Sequence, residues 1–182
     1  MIFREVEDPD LIARTKRGKV EAYNVLVSHW DKRIFNYLLR LVGEREDAMD
    51  LSQEVFLKAY QNLGRLQDPS RFGPWLFRIA HNEAFSHLRK KRPEVDLDER
   101  PAEPPARPRL EPIELSLSVD RALARLSGDQ REAVMLKIYQ GFKFEEMSEV
   151  LSCPVSTVKS RLYSALDLLK ETLAPINTRG VK

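Results

Sequence analysis

Cysteine is nearly absent: Cys153 is the only one in 182 residues. A single thiol gives neither an intrachain disulfide nor a cysteine-rich zinc site, and it suits a reducing, cytoplasmic compartment. Long apolar runs are missing as well. No stretch approaches the roughly 20 residues that a membrane-spanning helix needs, so no membrane insertion is expected. The first ten residues, MIFREVEDPD, carry acids and no apolar centre, which argues against a signal peptide. An excess of one charge is lacking too: 30 Lys and Arg stand against 28 Asp and Glu, a formal net charge of +2. A surface for a polyanion must therefore come from local clustering of Lys and Arg. Strand-like alternation is also absent, and apolar residues recur at helical spacing. The expected fold class is all-α.

Proline is present but unevenly placed. Six of the eleven prolines lie in Pro93–Pro112, PEVDLDERPAEPPARPRLEP. Proline blocks helix propagation, and the stretch has few side chains able to build a core. It reads as a flexible, acidic linker over 93–113, joining two small helical domains at 1–92 and 114–182. Helices are predicted at 8–17, 19–42, 45–63 and 72–91 in the first domain. In the second they are predicted at 116–126, 128–140, 144–151 and 155–172. Ser127-Gly-Asp-Gln130 has the form of a capping box, and Gly141 the form of a helix stop.

Residues 142–169, FKFEEMSEVLSCPVSTVKSRLYSALDLL, read as a helix-turn-helix. Phe144, Met147 and Leu151 share one side of the first helix, and Ser152-Cys153-Pro154 breaks it. In the second, Val155, Val158, Leu162, Ala165, Leu166 and Leu169 fall on one side. Ser156, Lys159, Ser160, Tyr163, Ser164 and Asp167 fall on the other. Short hydrogen-bonding side chains with one aromatic suit close approach to base edges in a major groove. Two packed helices with a solvated polar face are the plain alternative.

The first domain carries a different surface. From Trp75 onward, Leu76, Phe77, Ala80, Ala84 and Leu88 gather on one side of a helix. Trp75, Arg78, Asn82 and Arg89 gather opposite, within about 60° at 100° per residue. The helix ends in Arg89-Lys90-Lys91-Arg92. An indole can stack on a base, an amide can read its edge, and the cations can hold phosphates. The alternative makes Trp75 a lid on the core and the basic tail a helix terminus matched to its dipole. The preceding helix bears an acidic stripe, Asp47, Asp50 and Glu54, with Gln53 beside it. Val55, Ala59, Tyr60 and Leu63 supply its apolar packing. Such a stripe is either solvated or docks a basic protein partner.

These segments, in this order, resemble the bacterial extracytoplasmic-function (ECF) sigma factors. DAMDLSQEVFLKAYQNL resembles the family's core-polymerase-binding helix, and FGPWLFRIAHNEAFSHLRKKR its promoter-melting helix. LSGDQREAVMLKIYQGFKFEEMSEVLSCPVSTVKSRLYSA resembles its upstream-element reader. The resemblance covers about residues 8–92 and 114–172. It implies a sigma region 2 bundle, a sigma region 4 helix-turn-helix, and a factor that binds core RNA polymerase, recognises −35 and −10 elements and promotes melting.

By the same resemblance Asp47, Asp50, Gln53, Glu54 and Phe56 would dock on the polymerase. Arg65, Leu66 and Arg71 of the loop 64–71, with Trp75, Arg78, Asn82 and Arg89, would hold the −10 strand. Ser156, Thr157, Lys159, Ser160 and Tyr163 would meet the −35 element. Lys137, Phe144, Glu145 and Arg161 match positions near the DNA backbone or groove edge. An anti-sigma protein is an expected partner. The linker would run through polymerase channels, and no further domain is expected past residue 172. Ser152 stands where the family often has Gly, Ser148 where Ala is common, and Ser164 where a basic residue is common.

Two rival functions remain at this level. A helix-turn-helix regulator that never touches polymerase core explains the second domain but not the first. An enzyme acting on nucleic acid finds little support, since His29, His81 and His87 have no cysteine or second carboxylate cluster at ligand spacing. Asp47, Asp50 and Glu54 on an open helix face would make a poor metal cage. No catalytic residue, metal, cofactor or small-molecule substrate is expected.

Overall fold

A computed structural model describes residues 7–91 and 122–173, with the side chain of Leu173 left aside. The linker and most of the helix predicted at 116–126 lie outside the described residues, which begin that helix at 122–124. The chain divides into two compact units, Met1–Asp96 and Leu97–Lys182.

The first unit contains α1 (Asp8–Lys16), α2 (Val20–Val42), α3 (Arg45–Asn62) and α4 (Phe72–Lys91). Acids and a proline open α1, where the helix dipole favours negative charge and a missing N–H costs nothing. Gly18, at φ +86°, turns the chain into α2. Gly43, at φ +80°, ends α2 and donates its N–H to the Leu39 carbonyl at 2.9 Å. Both glycines occupy the left-handed region that a side chain disfavours.

Packing follows the expected periodicity. Leu11, Ile12, Leu26, Ile34, Leu38, Val55 and Leu76 are buried between the helices. Phe77 sits edge-on to Tyr37, with ring centroids 4.9 Å apart, and closes on Trp30 at 6.5 Å. Such edge-to-face pairs add about 0.5–1.5 kcal/mol each beyond area burial. Leu88, expected in this core, is only half-buried. It lies one turn from the end of α4, where fewer neighbours remain. Tyr60, expected to pack, is 41% exposed.

In the second unit α5 (Gly128–Val134) passes into a wider π-helical turn, Met135–Tyr139. The capping box is present: Gln130 N–H donates to Ser127 Oγ at 3.2 Å, and Ser127 N–H to Gln130 Oε1 at 3.0 Å. The widening was not predicted. Gln140 N–H donates back five residues to Met135, and Gly141 follows at φ +72°. Then come α6 (Phe144–Leu151) and α7 (Val155–Leu173). Met147, Leu151, Val158, Leu162 and Ala165 are buried. Phe144 is half-buried, and Leu166, expected inside, is 36% exposed because it lies at the edge of the apolar stripe.

The turn between α6 and α7 hangs on two serines. Ser148 donates its hydroxyl to the Cys153 carbonyl at 2.6 Å, so this hydroxyl closes the turn. Ser152 is the single non-glycine residue at positive φ, +50°, among the described residues. A side chain there costs about 1–2 kcal/mol, partly offset because glycine is freer in the unfolded chain. Ser152→Gly is therefore expected to stabilise the second unit by about 0.5–1 kcal/mol. Scanning calorimetry can read this, whereas tryptophan emission cannot, since Trp30 and Trp75 both belong to the first unit. A lowered calorimetric midpoint would contradict the account of the turn.

Candidate nucleic-acid and partner interfaces

The buried side of α4 dictates what its other side offers. Leu76, Phe77, Ala80 and Ala84 face inward, so Arg78, Asn82 and Arg89 stand in solvent. None of these three has a hydrogen-bond or ion-pair partner among the described residues. Trp75 joins them only partly: it is half-buried, its ring 5.8 Å from that of Phe72. One edge of the indole is therefore committed to the core.

The loop before α4 is shaped by two 3-10 turns, Leu63–Arg65 and Pro69–Arg71. Asp68 caps the second, accepting from Ser70 N–H at 2.9 Å and Ser70 Oγ at 2.7 Å. These bonds hold its carboxyl below the usual range, the hydroxyl having the larger effect. Arg65 is exposed and Arg71 half-buried. Leu66, expected among the DNA-contacting side chains, turns inward instead and is 6% exposed, because an apolar side chain in a polar loop gains by leaving water. Its carbonyl accepts from Lys16 Nζ of α1 at 2.5 Å, a contact spanning 50 residues that no local signal announces.

The acidic stripe on α3 is less free than its sequence suggested. Asp47 accepts from Lys91 Nζ at 2.8 Å and lies 3.1 Å from His87 Nε2, both on α4. The Lys91 hydrogen bond, more than His87, holds the Asp47 carboxyl below its ordinary range. Glu54 pairs with Lys58 at 3.3 Å, and Lys58 reaches on to Glu83 of α4 at 2.7 Å. Glu83 is the main reason the Lys58 ammonium is raised. Asp50 and Gln53 are exposed, and Asp50 has no ion pair among the described residues. Phe56 is half-buried and lines a shallow apolar depression of about 320 Å³ with Val20, Tyr23, Leu57 and Tyr60. Tyr23 donates its hydroxyl to the Phe56 carbonyl, and burial pushes that phenol up.

In the second unit the ring of Phe144 gathers three of the expected residues. Lys137 Nζ lies 4.7 Å and Lys159 Nζ 5.3 Å from its centroid, and the Tyr163 ring is 6.5 Å away. Lys137 also donates to the Phe142 carbonyl at 3.0 Å. Ser156, Lys159, Ser160 and Tyr163 are exposed along α7, and Glu145 is exposed on α6. Thr157 and Arg161 lie off this face and are half-buried. The Arg161 guanidinium is 2.6 Å from Asp129 and 3.8 Å from Cys153 Sγ, so it ties α5 to α7 rather than standing free. Ser164 accepts from Gln130 Nε2 at 2.7 Å.

Among the described residues no group of three or more His, Cys, Asp or Glu is placed to hold a metal ion. No described helix is long and apolar enough to cross a membrane.

Comparison with known proteins places the chain in a family. Residues 26–94 match the model of sigma-70 region 2, and residues 116–169 that of sigma-70 region 4. The RNA polymerase sigma-H factor of Pseudomonas aeruginosa is 33% identical, covering 96% of this chain and 98% of its own. The ECF RNA polymerase sigma-E factor of Escherichia coli is 31% identical, covering 96% and 98%. The solved structure of CnrH in complex with the cytosolic domain of CnrY has the same fold, with a TM-score of 0.67 at 24% identity over 92% of this chain and 97% of that one. The sigma factor RpoE of Bartonella quintana, solved with the anti-sigma factor NepR, gives 0.65 at 26% identity, covering 84% and 96%. An all-helical two-unit chain with a helix-turn-helix and this relationship is a transcription initiation factor. It belongs to the ECF RNA polymerase sigma factors, and a regulator unrelated to polymerase is not favoured.

The Asp47 cluster has a testable stability signature. Its carboxyl is depressed, so its contribution is present above the ordinary carboxylate range and is lost as pH falls through the lowered value. Asp47→Asn is expected to lower the unfolding midpoint of the first unit by about 2–5 °C at neutral pH, the scale of a partly exposed ion pair. The gap between variant and wild type should close as pH falls through that lowered value, below the ordinary carboxylate range. Tryptophan emission follows both, and a gap independent of pH would show that the ion pairs contribute nothing.

Proposed function

We propose that this sigma factor works in the cytoplasm as an alternative initiation factor that binds core RNA polymerase through α3 and captures the melted −10 strand on α4. The second unit reads the −35 element. Asp50 and Gln53 supply the exposed polar contacts of the docking face, and Phe56 with its depression accepts an apolar side chain of the polymerase. Asp47 and Glu54 contribute at the edge of that face while remaining tied to α4. On the DNA side Arg65, Arg71, Arg78 and Arg89 hold phosphates, Trp75 offers its open edge to a base, and Asn82 reads one. Ser156, Thr157, Lys159, Ser160 and Tyr163 approach the −35 groove, with Lys137, Phe144, Glu145 and Arg161 bordering it. An anti-sigma protein is the natural regulator, as in the Bartonella quintana complex.

The observation that carries this reading is the unpartnered Arg78–Asn82–Arg89 stripe beside a capped loop. A flipped base needs edge hydrogen bonds and enclosure to offset a few kcal/mol of lost stacking. Asn82→Ala is expected to leave core binding and closed-complex formation intact while reducing open-complex formation in a manner that depends on the −10 base. Permanganate footprinting on duplex and pre-melted promoters measures this. Asp50→Arg should do the reverse, weakening retention on core polymerase in gel filtration. Opening of every promoter at the wild-type level by Asn82→Ala would remove the base-capture role.

A further inference from the structure

The family model for region 2 begins at residue 26, so α1 lies outside it. Nothing in the proposed docking or DNA faces uses α1 either. Yet α1 packs against both 3-10 turns of the loop before α4 as well as against α2. Its two ends reach toward the two halves of that loop. At the C-terminal end, Lys16 Nζ donates to the Leu66 carbonyl, which lies between the two 3-10 turns. At the N-terminal end, Asp8 accepts from Trp30 Nε1 at 2.7 Å through Oδ2, and Oδ1 lies 2.8 Å from His29 Nδ1. Trp30 in turn stands edge-on to Phe72, centroids 5.7 Å apart, at the residue where the loop passes into α4. Arg33 lies over the other part of this group, 4.2 Å from the Trp30 ring.

Loops of this kind are otherwise held weakly. The Asp68 cap and the 3-10 turns are local bonds, which shape the loop without fixing its position over α1. Capture of an extruded base requires the opposite, a loop fixed to within a fraction of an ångström before the base arrives. The burial of Leu66 anchors one side chain, and the Lys16 ammonium fixes the carbonyl of the same residue. A charged donor on a carbonyl is stronger than a neutral one. The Asp8–Trp30–Phe72 chain sets where α4 begins.

We infer that α1 is a brace for the −10 loop, and that Lys16 and Asp8 are positioning residues for base selection although neither touches a base. This rests on the base-capture reading above. The test reconstitutes holoenzyme from core polymerase and full-length sigma variants. Single-stranded DNA oligonucleotides, enriched from a random pool on the wild-type holoenzyme, are compared with scrambled sequences of the same composition. Lys16→Met keeps the aliphatic stem and removes the donor. It is expected to lower affinity for the enriched strand by about three- to tenfold, the scale of one lost hydrogen bond, with little change for the scrambled strand. Lys16→Arg should recover most of the loss.

Asp8→Ala separates bracing from simple charge. Removing an acid strengthens a purely electrostatic hold on DNA, whereas loss of the brace weakens and flattens selection. Asp8→Ala is expected to shift in the same direction as Lys16→Met, with core binding unchanged in both. Uniform weakening of every strand by Lys16→Met, with a shallower salt dependence and tighter binding by Asp8→Ala, would make Lys16 a phosphate contact and overturn the inference. Wild-type selectivity in both variants overturns it as well. Asn82→Ala in the same assay keeps the two readings apart: altered selection there with unaltered Lys16 and Asp8 variants removes the brace alone, and unaltered selection in all three removes base capture itself.

Discussion

The contact between α3 and α4 organises the first unit. Buried alanines sit on both helices, Ala48 and Ala59 on one and Ala80 and Ala84 on the other, all fully shielded from water. Small side chains permit the close approach that lets Lys91 reach Asp47 and Lys58 reach Glu83 within 3 Å. With that face of α4 committed, the rest of its circumference is determined. The residues opposite the core must face solvent, and they are cationic and amide side chains. The same contact leaves α3 a free edge at Asp50 and Gln53. The proposed docking surface and the proposed DNA surface therefore lie on adjoining helices whose mutual placement is set by methyl groups and ion pairs.

Much of this was legible in the sequence because it is local. The bounds of α2, α3, α4, α6 and α7 follow from apolar spacing and from the Ser152-Cys153-Pro154 break, and they agree to within a residue. The capping box at Ser127 is a four-residue signal and behaves as one. What could not be read depends on partners far away in the chain. Leu66 looked like loop and is core, because Leu63 to Phe72 folds back over α1. Asp47 looked like a free acid and is held by α4. Arg161 carries the charge of a phosphate contact but is turned toward Asp129. In each case one-dimensional spacing fixes the face of a helix but not what stands opposite.

The two units solve the problem of exposing polar recognition groups differently. In the first, Arg78, Asn82 and Arg89 of the proposed DNA face have no hydrogen-bond or ion-pair partner among the described residues, and the loop before α4 is held through the Leu66 carbonyl. In the second, Lys137, Lys159 and Tyr163 of the proposed DNA face gather on the Phe144 ring. The Gln130 amide donating to Ser164 and the Arg161–Asp129 pair fasten α7 to α5, and the Ser148 hydroxyl closes the turn before it.

The ring of Phe144 shows what this arrangement does to flexible cations. A lysine free in solvent samples many rotamers, and immobilising one costs up to about 2 kcal/mol. Lys137 and Lys159 each already lean on the aromatic face, and Lys137 is further bound to a carbonyl. Part of their disorder is thus removed when the unit folds rather than when a polyanion arrives. On the proposed −35 reading, the entropy lost on association at this face is correspondingly smaller, and fit to two pre-aimed ammonium groups counts for more than their freedom to search.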